Sequence, residues 1–562
     1  MLGSLSPMSK IAERKRPLGP GLSQAGLAMA VMVLLGVIAL RAAQPPPPTI
    51  AEFAPNAQEQ ITESLDEQAA RRGTGGSAED AAREGASPTP PPDPAQVIDQ
   101  PRVKRCQGQP PRQTEDPQSP PCVPFWDGDN GGATATGVTA TEVVIAYPTG
   151  GFGEDDAAVG DLARHFNMRY EFYGRRLTIK AFVPDGGSFN HPDPTTMRSD
   201  ARLVADQLNA FASMAYPDRK GSEHHYYDAL TELKVISAAY RGGSQLTEQR
   251  LRSKAPYQWN VLPGVDTMFR TYGQFVCRTL KGLPPEHAGP GTRDRSQRKF
   301  GIIFTRALDG SVPDLTPLRT ELRACGLPDD QVPQVEARHQ NATARSGVSE
   351  ILAMKDEGVT SIVCLCDVGE TRNTLMPAAS AQTYYPEWLL GSYIDNDLDN
   401  SMSQAPPDQR RSVFGATFRN RFGPRDSMPW FWAVKEANPT REVPEGNYYP
   451  LASRYAQLLL IASGIQMAGP NLTPETFMRG LQQARFPNPG AGDAPHYQAR
   501  VGFEPSRHTM TQDATMWWYD PGRRSTVNPA DVGAVCYVNR GVRFRHGSWP
   551  TGRQAFYQEP CL

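Results

Sequence analysis

The chain has 562 residues, with 58 Lys and Arg against 60 Asp and Glu, for a formal net charge of −2. That length exceeds one ordinary core and predicts about two to four domains, while the charge balance excludes the strongly basic footprint of a nucleic-acid-binding domain. Proline, at 53 residues, is used at roughly twice the ordinary frequency, so part of the chain is built to stay extended. A single long apolar run excludes a polytopic membrane protein.

Lys10, Arg14, Lys15 and Arg16 precede the uncharged run Leu27–Leu40, LAMAVMVLLGVIAL. Extended back to Leu18, the run reaches the length of about 20 residues that a membrane span needs. The basic cluster predicts a cytoplasmic tail over 1–17, a transmembrane anchor over 18–41, and everything later outside. A cleaved signal peptide is the competing reading. Cleavage after Ala43 leaves Arg41 at the −3 position, and cleavage after Ala42 leaves Leu40 there. No cysteine follows the run closely, which argues against a lipoprotein anchor. Residues 42–137 read as a Pro-rich disordered linker, with 17 prolines between Arg41 and Pro124. That composition buries too little apolar surface to offset ordering entropy. Polyproline geometry makes it a stalk holding a folded body off the membrane, or a passive tail.

From Val138 the texture changes. Thr141–Tyr147 predicts a strand, and a helix follows through Leu162, Phe166 and Tyr170. Leu177–Val183 is a second strand. Leu203, Val204, Leu208 and Phe211 stand at helical spacing over 200–211. A short strand around Ala210–Tyr216, a helix over Tyr227–Leu233 and the strand Val235-Ile236-Ser237 come next. Strands alternating with helices predict a parallel sheet covered on both faces. The pattern then restarts. Val265, Met268, Phe269, Tyr272, Val276 and Leu280 form a helical stripe. Phe300–Thr305, Val332–Ala337, Ser361–Cys366 and Trp388–Gly391 predict strands. Leu315–Cys325 and a helix marked by Val348, Ile351 and Leu352 lie between them, with Gly326 stopping the first. A long helix over Leu451–Ala468 ends at Gly469-Pro470, and Thr473 caps a further helix with Pro474 in its first turn.

Five segments in order resemble type I periplasmic solute-binding proteins, in the Leu/Ile/Val-binding branch of ABC transporter substrate-binding proteins. They are Glu142–Tyr147, Tyr226–Leu230 with Val235-Ile236-Ser237, Ala255-Pro256-Tyr257 with Leu262-Pro263, Tyr384–Leu389, and Tyr455–Gly469 with Leu472-Thr473-Pro474-Glu475. The resemblance covers roughly residues 138–525. It implies two doubly wound α/β lobes closing on a small molecule. Lobe 1 is expected mainly over 138–263, lobe 2 mainly over 264–400, crossover segments completing both over 401–525, and a disulfide-pinned extension over 526–562.

Open α/β sheets bind ligands beyond the carboxyl ends of their strands. By resemblance, Ser237, Ala238 and Ala239 offer a hydroxyl and backbone N–H groups. Tyr147, Tyr216, Tyr240 and Tyr393 stand as aromatic walls, and Thr305, Arg306 and Asp367 as polar partners of a ligand. The alternative is that these residues merely end strands. Ala215-Tyr216-Pro217-Asp218 and Tyr240-Arg241 depart from the small residues usual in relatives, which puts an amino-acid ligand in doubt.

Eight cysteines outside a membrane suit disulfides. The expected pairs are Cys106–Cys122, Cys277–Cys325 and Cys536–Cys561, with Cys364 and Cys366 either bridged to each other or reduced. A metal site at Cys364–Asp367 lacks a second ligand pair at zinc spacing. His224-His225 reads as an exposed loop opening a helix, and no metal site is expected there. Trp430-Phe431-Trp432 and Trp517-Trp518 read as lobe packing. The sequence holds no Walker loop, H-E-x-x-H or G-x-S-x-G motif, so neither an enzyme nor a cofactor is expected. The reading is a membrane-anchored, extracytoplasmic solute-binding protein serving an ABC-type importer through a membrane permease. The alternative is a ligand sensor or cell-envelope scaffold on the same fold, with another envelope protein as partner.

Overall fold

The computed structural model describes residues 116–561, apart from 150–153, 186–192, 218–221, 242, 244, 308, 339–346, 444–447, 489–497, 526, 529 and 559–560, together with the two-residue strands Ile50–Ala51, Cys106–Gln107 and Arg112–Gln113. The expected anchor over 18–41 and most of the linker lie outside the described residues. Among the described residues, no helix is long and apolar enough to cross a membrane.

Lobe 1 is built on β1 (Glu142–Pro148), β2 (Arg176–Phe182), β3 (Ala212–Met214), β4 (Ile236–Ala239) and β5 (Gln258–Asn260). They run parallel in the order β2-β1-β3-β4-β5, with Ile50–Ala51 antiparallel at the β2 edge. Both faces of β1 are apolar because both are covered. Val143, Ile145 and Tyr147 pack on one face and Val144 and Ala146 on the other, the period of two that a strand imposes. The first face carries α1 (Glu154–Arg169). The second carries α2 (Pro194–Arg202), α3 (His224–Glu232) and α4 (Glu248–Ser253). The helix expected over 200–211 begins earlier, at Pro194, and ends earlier, at Gln207. A π-turn, Leu203–Gln207, extends α2, and Asn209 at φ 48 then reverses the chain into β3, a conformation asparagine tolerates better than most residues.

Lobe 2 repeats the plan. Its strands are β6 (Phe300–Arg306), β7 (Gln334–Arg338), β8 (Ser361–Leu365), β9 (Glu387–Gly391) and β10 (Val413–Thr417), parallel in the order β7-β6-β8-β9-β10. β11 (Ala514–Arg524) adds to β10 antiparallel, β12 (Val532–Tyr537) adds antiparallel to β11, and the two-residue strand Arg543–Phe544 pairs antiparallel with the start of β11. Residues read as a terminal extension therefore finish the second sheet. α5 (Val265–Phe275) and α6 (Thr316–Ala324) cover one face, and α7 (Val348–Asp356) and α8 (Met376–Ala381) the other. The structure carries disulfides Cys277–Cys325, Cys364–Cys366 and Cys536–Cys561. Cys122 is also disulfide-bonded, while the side chain of Cys106 lies outside the described residues.

Three further helices return to lobe 1. α9 (Pro429–Ala437), α10 (Tyr448–Ala468) and α11 (Pro474–Gln483) complete the apolar face that α1 begins. The α11 start is a reciprocal cap: Thr473 Oγ1 accepts from Thr476 N–H at 3.2 Å, and Thr473 N–H donates to Thr476 Oγ1 at 2.8 Å. Trp430, on α9, joins the lobe 1 core, and Trp517 and Trp518 the two faces of lobe 2.

The described chain thus passes between the lobes at 260–264, 418–428 and 498–513. The first and third passages lie side by side. Asn260 N–H donates to the His508 carbonyl at 3.1 Å, and Thr511 N–H to the Val261 carbonyl at 2.9 Å. Buried Glu248 of α4 accepts from Gly264 N–H, His508 N–H and the Thr509 hydroxyl. Residues 116–121, assigned to the linker by composition, are packed here. Gln118 Nε2 donates to the Ala499 carbonyl at 2.9 Å and Asn420 Nδ2 to Gln118 Oε1 at 2.8 Å, while the Pro121 carbonyl accepts from Gln466 at 2.8 Å. Composition reports what a segment buries alone, and here its polar side chains find partners on a surface formed by distant residues.

Candidate interlobe site

Segments that follow the carboxyl ends of β4, β6 and β9 meet between the lobes. Tyr240 and Arg241 follow β4, Asp309 follows β6, and Tyr393–Asp397 follow β9. Arg419 stands just after β10 in the second passage, and Tyr449 lies in the first turn of α10.

These residues make one network. Arg241 Nε lies 3.2 Å from Asp395 Oδ2, a lobe 1 cation on a lobe 2 anion, with both side chains largely covered. Buried Arg419 donates to Asp397 Oδ1 at 2.8 Å, to the Tyr449 hydroxyl at 2.6 Å and to the Tyr240 hydroxyl at 3.2 Å, and also pairs with Asp395. Its guanidinium lies over the rings of Tyr449 and Tyr240, 4.6 and 5.4 Å from their centroids. The Tyr449 hydroxyl donates in turn to Asp395 Oδ1 at 2.9 Å. Burial alone would favour a neutral guanidinium, but Asp397, Tyr449, Tyr240 and Asp395 reverse that and hold Arg419 firmly charged. Burial raises the Tyr240 and Tyr449 hydroxyls despite the neighbouring arginine, so both are neutral donors. Asp395 holds φ at 64°, a left-handed conformation of the kind that persists where surrounding contacts over-determine it.

A second meeting lies at the start of α3. His225 Nε2 is 3.3 Å and His224 Nε2 3.7 Å from the same Asp309 Oδ2. The two imidazoles lie 4.1 Å apart, centroid to centroid. His224 is buried rather than exposed. Adjacent residues share no face inside a helix, but these two open α3 and converge on the other lobe. Burial, with His225 and Arg250 next, lowers the His224 pKa to about 4, so this ring is neutral. Gln245 Nε2 adds a bond to the Val312 carbonyl at 3.3 Å.

Of the residues singled out from sequence, Tyr240 lies in the network, and Tyr393 beside it. The Tyr393 N–H meets the Tyr272 hydroxyl at 3.3 Å and its ring packs 5.3 Å from Phe269. The others lie apart. Tyr147 is in the lobe 1 core under Arg454, whose guanidinium stands 5.4 Å from its ring. Tyr216 donates to Asp200 at 2.5 Å inside the opposite core. Ser237, Ala238 and Ala239 are buried within β4. Thr305 donates to Glu370 at 2.8 Å, and Arg306 makes a two-pronged pair with Glu336 at 2.7 Å. Asp367 caps the short helix Val368–Glu370 through Gly369 N–H at 2.7 Å. Arg241, Asp395, Arg419, Tyr449 and Asp309 went unassigned because they sit one or more residues past the strands or on other segments. The strand ends Ser237–Tyr240, Thr305–Asp309 and Gly391–Tyr393, and the Tyr240-Arg241 departure from small residues, signalled the place without singling out these side chains.

The fold defines a two-lobed α/β architecture with matching strand orders and three passages between lobes. Among solved structures, the chain is similar to a fatty acid ABC transporter substrate-binding protein from Thermomonospora curvata, at 13% identity and TM-score 0.47, covering 73% of this chain and 95% of that one. It is also similar to a leucine-binding protein from Thermotoga maritima, at 10% identity and TM-score 0.47, covering 72% and 99%. A periplasmic binding protein from Burkholderia mallei gives 12% identity and TM-score 0.48, covering 72% and 95%. No protein-family model matches the sequence, and no curated protein does.

Proposed function

We propose that this chain is an extracytoplasmic solute-binding protein that closes its two lobes on a small organic carboxylate for an ABC-type importer. The observation that carries this reading is the Arg241–Asp395 contact at the meeting of two sets of strand ends, where open α/β sheets take ligands. Asp395 presents to Arg241 the group that a solute carboxylate would present, and guanidinium–carboxylate recognition is strong and directional. Arg419 keeps Asp397 whatever happens at Asp395, so the site stays electrostatically closed on its lobe 2 side. Tyr240 and Tyr449 supply neutral hydroxyls and ring faces. A ligand touching both lobes favours the closed state by its differential affinity, and closure presents a surface to a permease. The role is binding, not catalysis. Disulfides at every described cysteine side chain support a location outside the reducing cytoplasm.

One observation favours a second reading. The charged groups at the interlobe site pair with one another, which suits a sealed scaffold for an envelope partner. Native mass spectrometry and calorimetry of the full chain against aliphatic, aromatic and amino-acid carboxylates separate the two. The solute-binding reading expects a bound carboxylate whose affinity falls at least about tenfold in Arg241→Ala, the loss of one charge-assisted contact. Binding by none of these classes, with unchanged compactness in scattering, overturns it and favours the scaffold.

A further inference from the structure

We propose that His224, His225 and Asp309 form a site for a divalent transition-metal ion of the zinc class, bound between the lobes. The donors come from two distant places in the fold. The histidines open α3 on lobe 1, and Asp309 follows β6 on lobe 2. One donor atom from each residue lies within 4.8 Å of the others. Both His Nε2 atoms face a single carboxylate oxygen, at 3.3 and 3.7 Å. Tetrahedral zinc, with bonds of about 2.0–2.1 Å, holds its ligand atoms roughly 3.3–3.4 Å apart. Both histidine–carboxylate separations lie close to that value, and the two histidine donors, within 4.8 Å of each other, can draw together to complete the set.

The chemistry fits as well as the spacing. Two imidazoles and one carboxylate suit zinc and its neighbours better than magnesium or calcium, which prefer oxygen. Three protein ligands leave a fourth position for water or a solute donor. The side chains of His224 and Asp309 are each 10% exposed and that of His225 23%, with Asp309 carried on an exposed loop from which an ion could enter.

An ion held by ligands from both lobes binds best when the lobes are together. By linkage it favours that arrangement and tightens any solute that needs it. This consequence rests on the solute-binding reading, but the metal site itself does not.

The test uses the full chain, stripped of metal with a chelator and titrated with zinc against a chromogenic competitor, with magnesium as the control ion. Small-angle scattering is recorded with and without zinc. The expected result is a single zinc ion per chain, no magnesium competition, and a smaller radius of gyration with zinc. Asp309→Asn and His225→Ala, both away from the cores, each weaken zinc at least about tenfold. No zinc binding at sub-millimolar ion, or variants that bind as the parent does, overturns the site. Zinc binding lost in the variants but without compaction retains the site and overturns the clamp. Neither outcome depends on whether an organic carboxylate is found.

Discussion

Arg241 and Asp395 lie 3.2 Å apart, one on each lobe. Asp395 retains Arg419 and the Tyr449 hydroxyl when Arg241 is removed, so the carboxylate is not left uncompensated. Arg241→Ala is therefore expected to loosen the lobes rather than unfold either one. The lost charge-assisted contact is worth about 1.5–3 kcal/mol, enough to shift a closed population strongly. Scattering of the unliganded variant should show a larger radius of gyration with little change in thermal midpoint. An unaltered radius would mean that the lobes are held by other contacts.

Gly464 lies about one turn from the C-terminal end of α10, directly beneath Phe477 of α11. A β-carbon at 464 would fall 2.1 Å from Phe477 Cε2, and one at Gly480 would fall 2.4 Å from the Met467 backbone. The helices touch through these two glycines. Alanine at 464 gains about 1 kcal/mol of helix propensity but forces the Phe477 ring out of a packed core, at a cost of typically 1–3 kcal/mol. The net expectation is a loss of stability in urea unfolding for Gly464→Ala. A more stable variant would show that the ring has room to move.

Asp399 is buried and accepts from Val535 N–H at 2.7 Å and the Ser525 hydroxyl at 2.5 Å. Burial outweighs those bonds and raises its pKa to about 6. An acid whose folded pKa exceeds its unfolded value of about 3.9 binds more protons when folded. Its contribution is full below that unfolded value and is lost as pH rises through about 6. Asp399→Asn carries no such charge. Its stability relative to the parent should therefore improve by up to about 3 kcal/mol between acid and neutral pH. Urea unfolding of both proteins across that range checks this, and a pH-independent difference would refute it.

Much of the parallel framework was legible in the sequence because its strands are buried on both faces. Runs such as Val143–Tyr147 and Ile362–Leu365 are continuously apolar and bounded by helices of clear spacing. The Thr473-Pro474 start was legible because a cap is a local device. β10 was missed because Val413-Phe414-Gly415-Ala416-Thr417 is short and carries a glycine. That glycine is needed where a β-carbon would strike the Leu390 carbonyl at 1.9 Å. The interlobe site was less legible. Its residues lie on loops and passages whose convergence depends on how two sheets are placed. Tyr147 and Tyr216 show the converse, since an aromatic at a strand end looks the same in sequence whether it lines a cleft or packs inward.

The return of α9–α11 to lobe 1 has a bearing on synthesis. Phe211 and Trp259 are made early, yet the Phe477 ring that packs against them, at 6.1 and 5.8 Å, is made more than two hundred residues later. A growing chain emerging from the ribosome must carry the first half-core uncovered while the parallel strands of the second sheet are still being translated. A holding chaperone would meet the polypeptide in that unfinished state, with an oily flank available for capture.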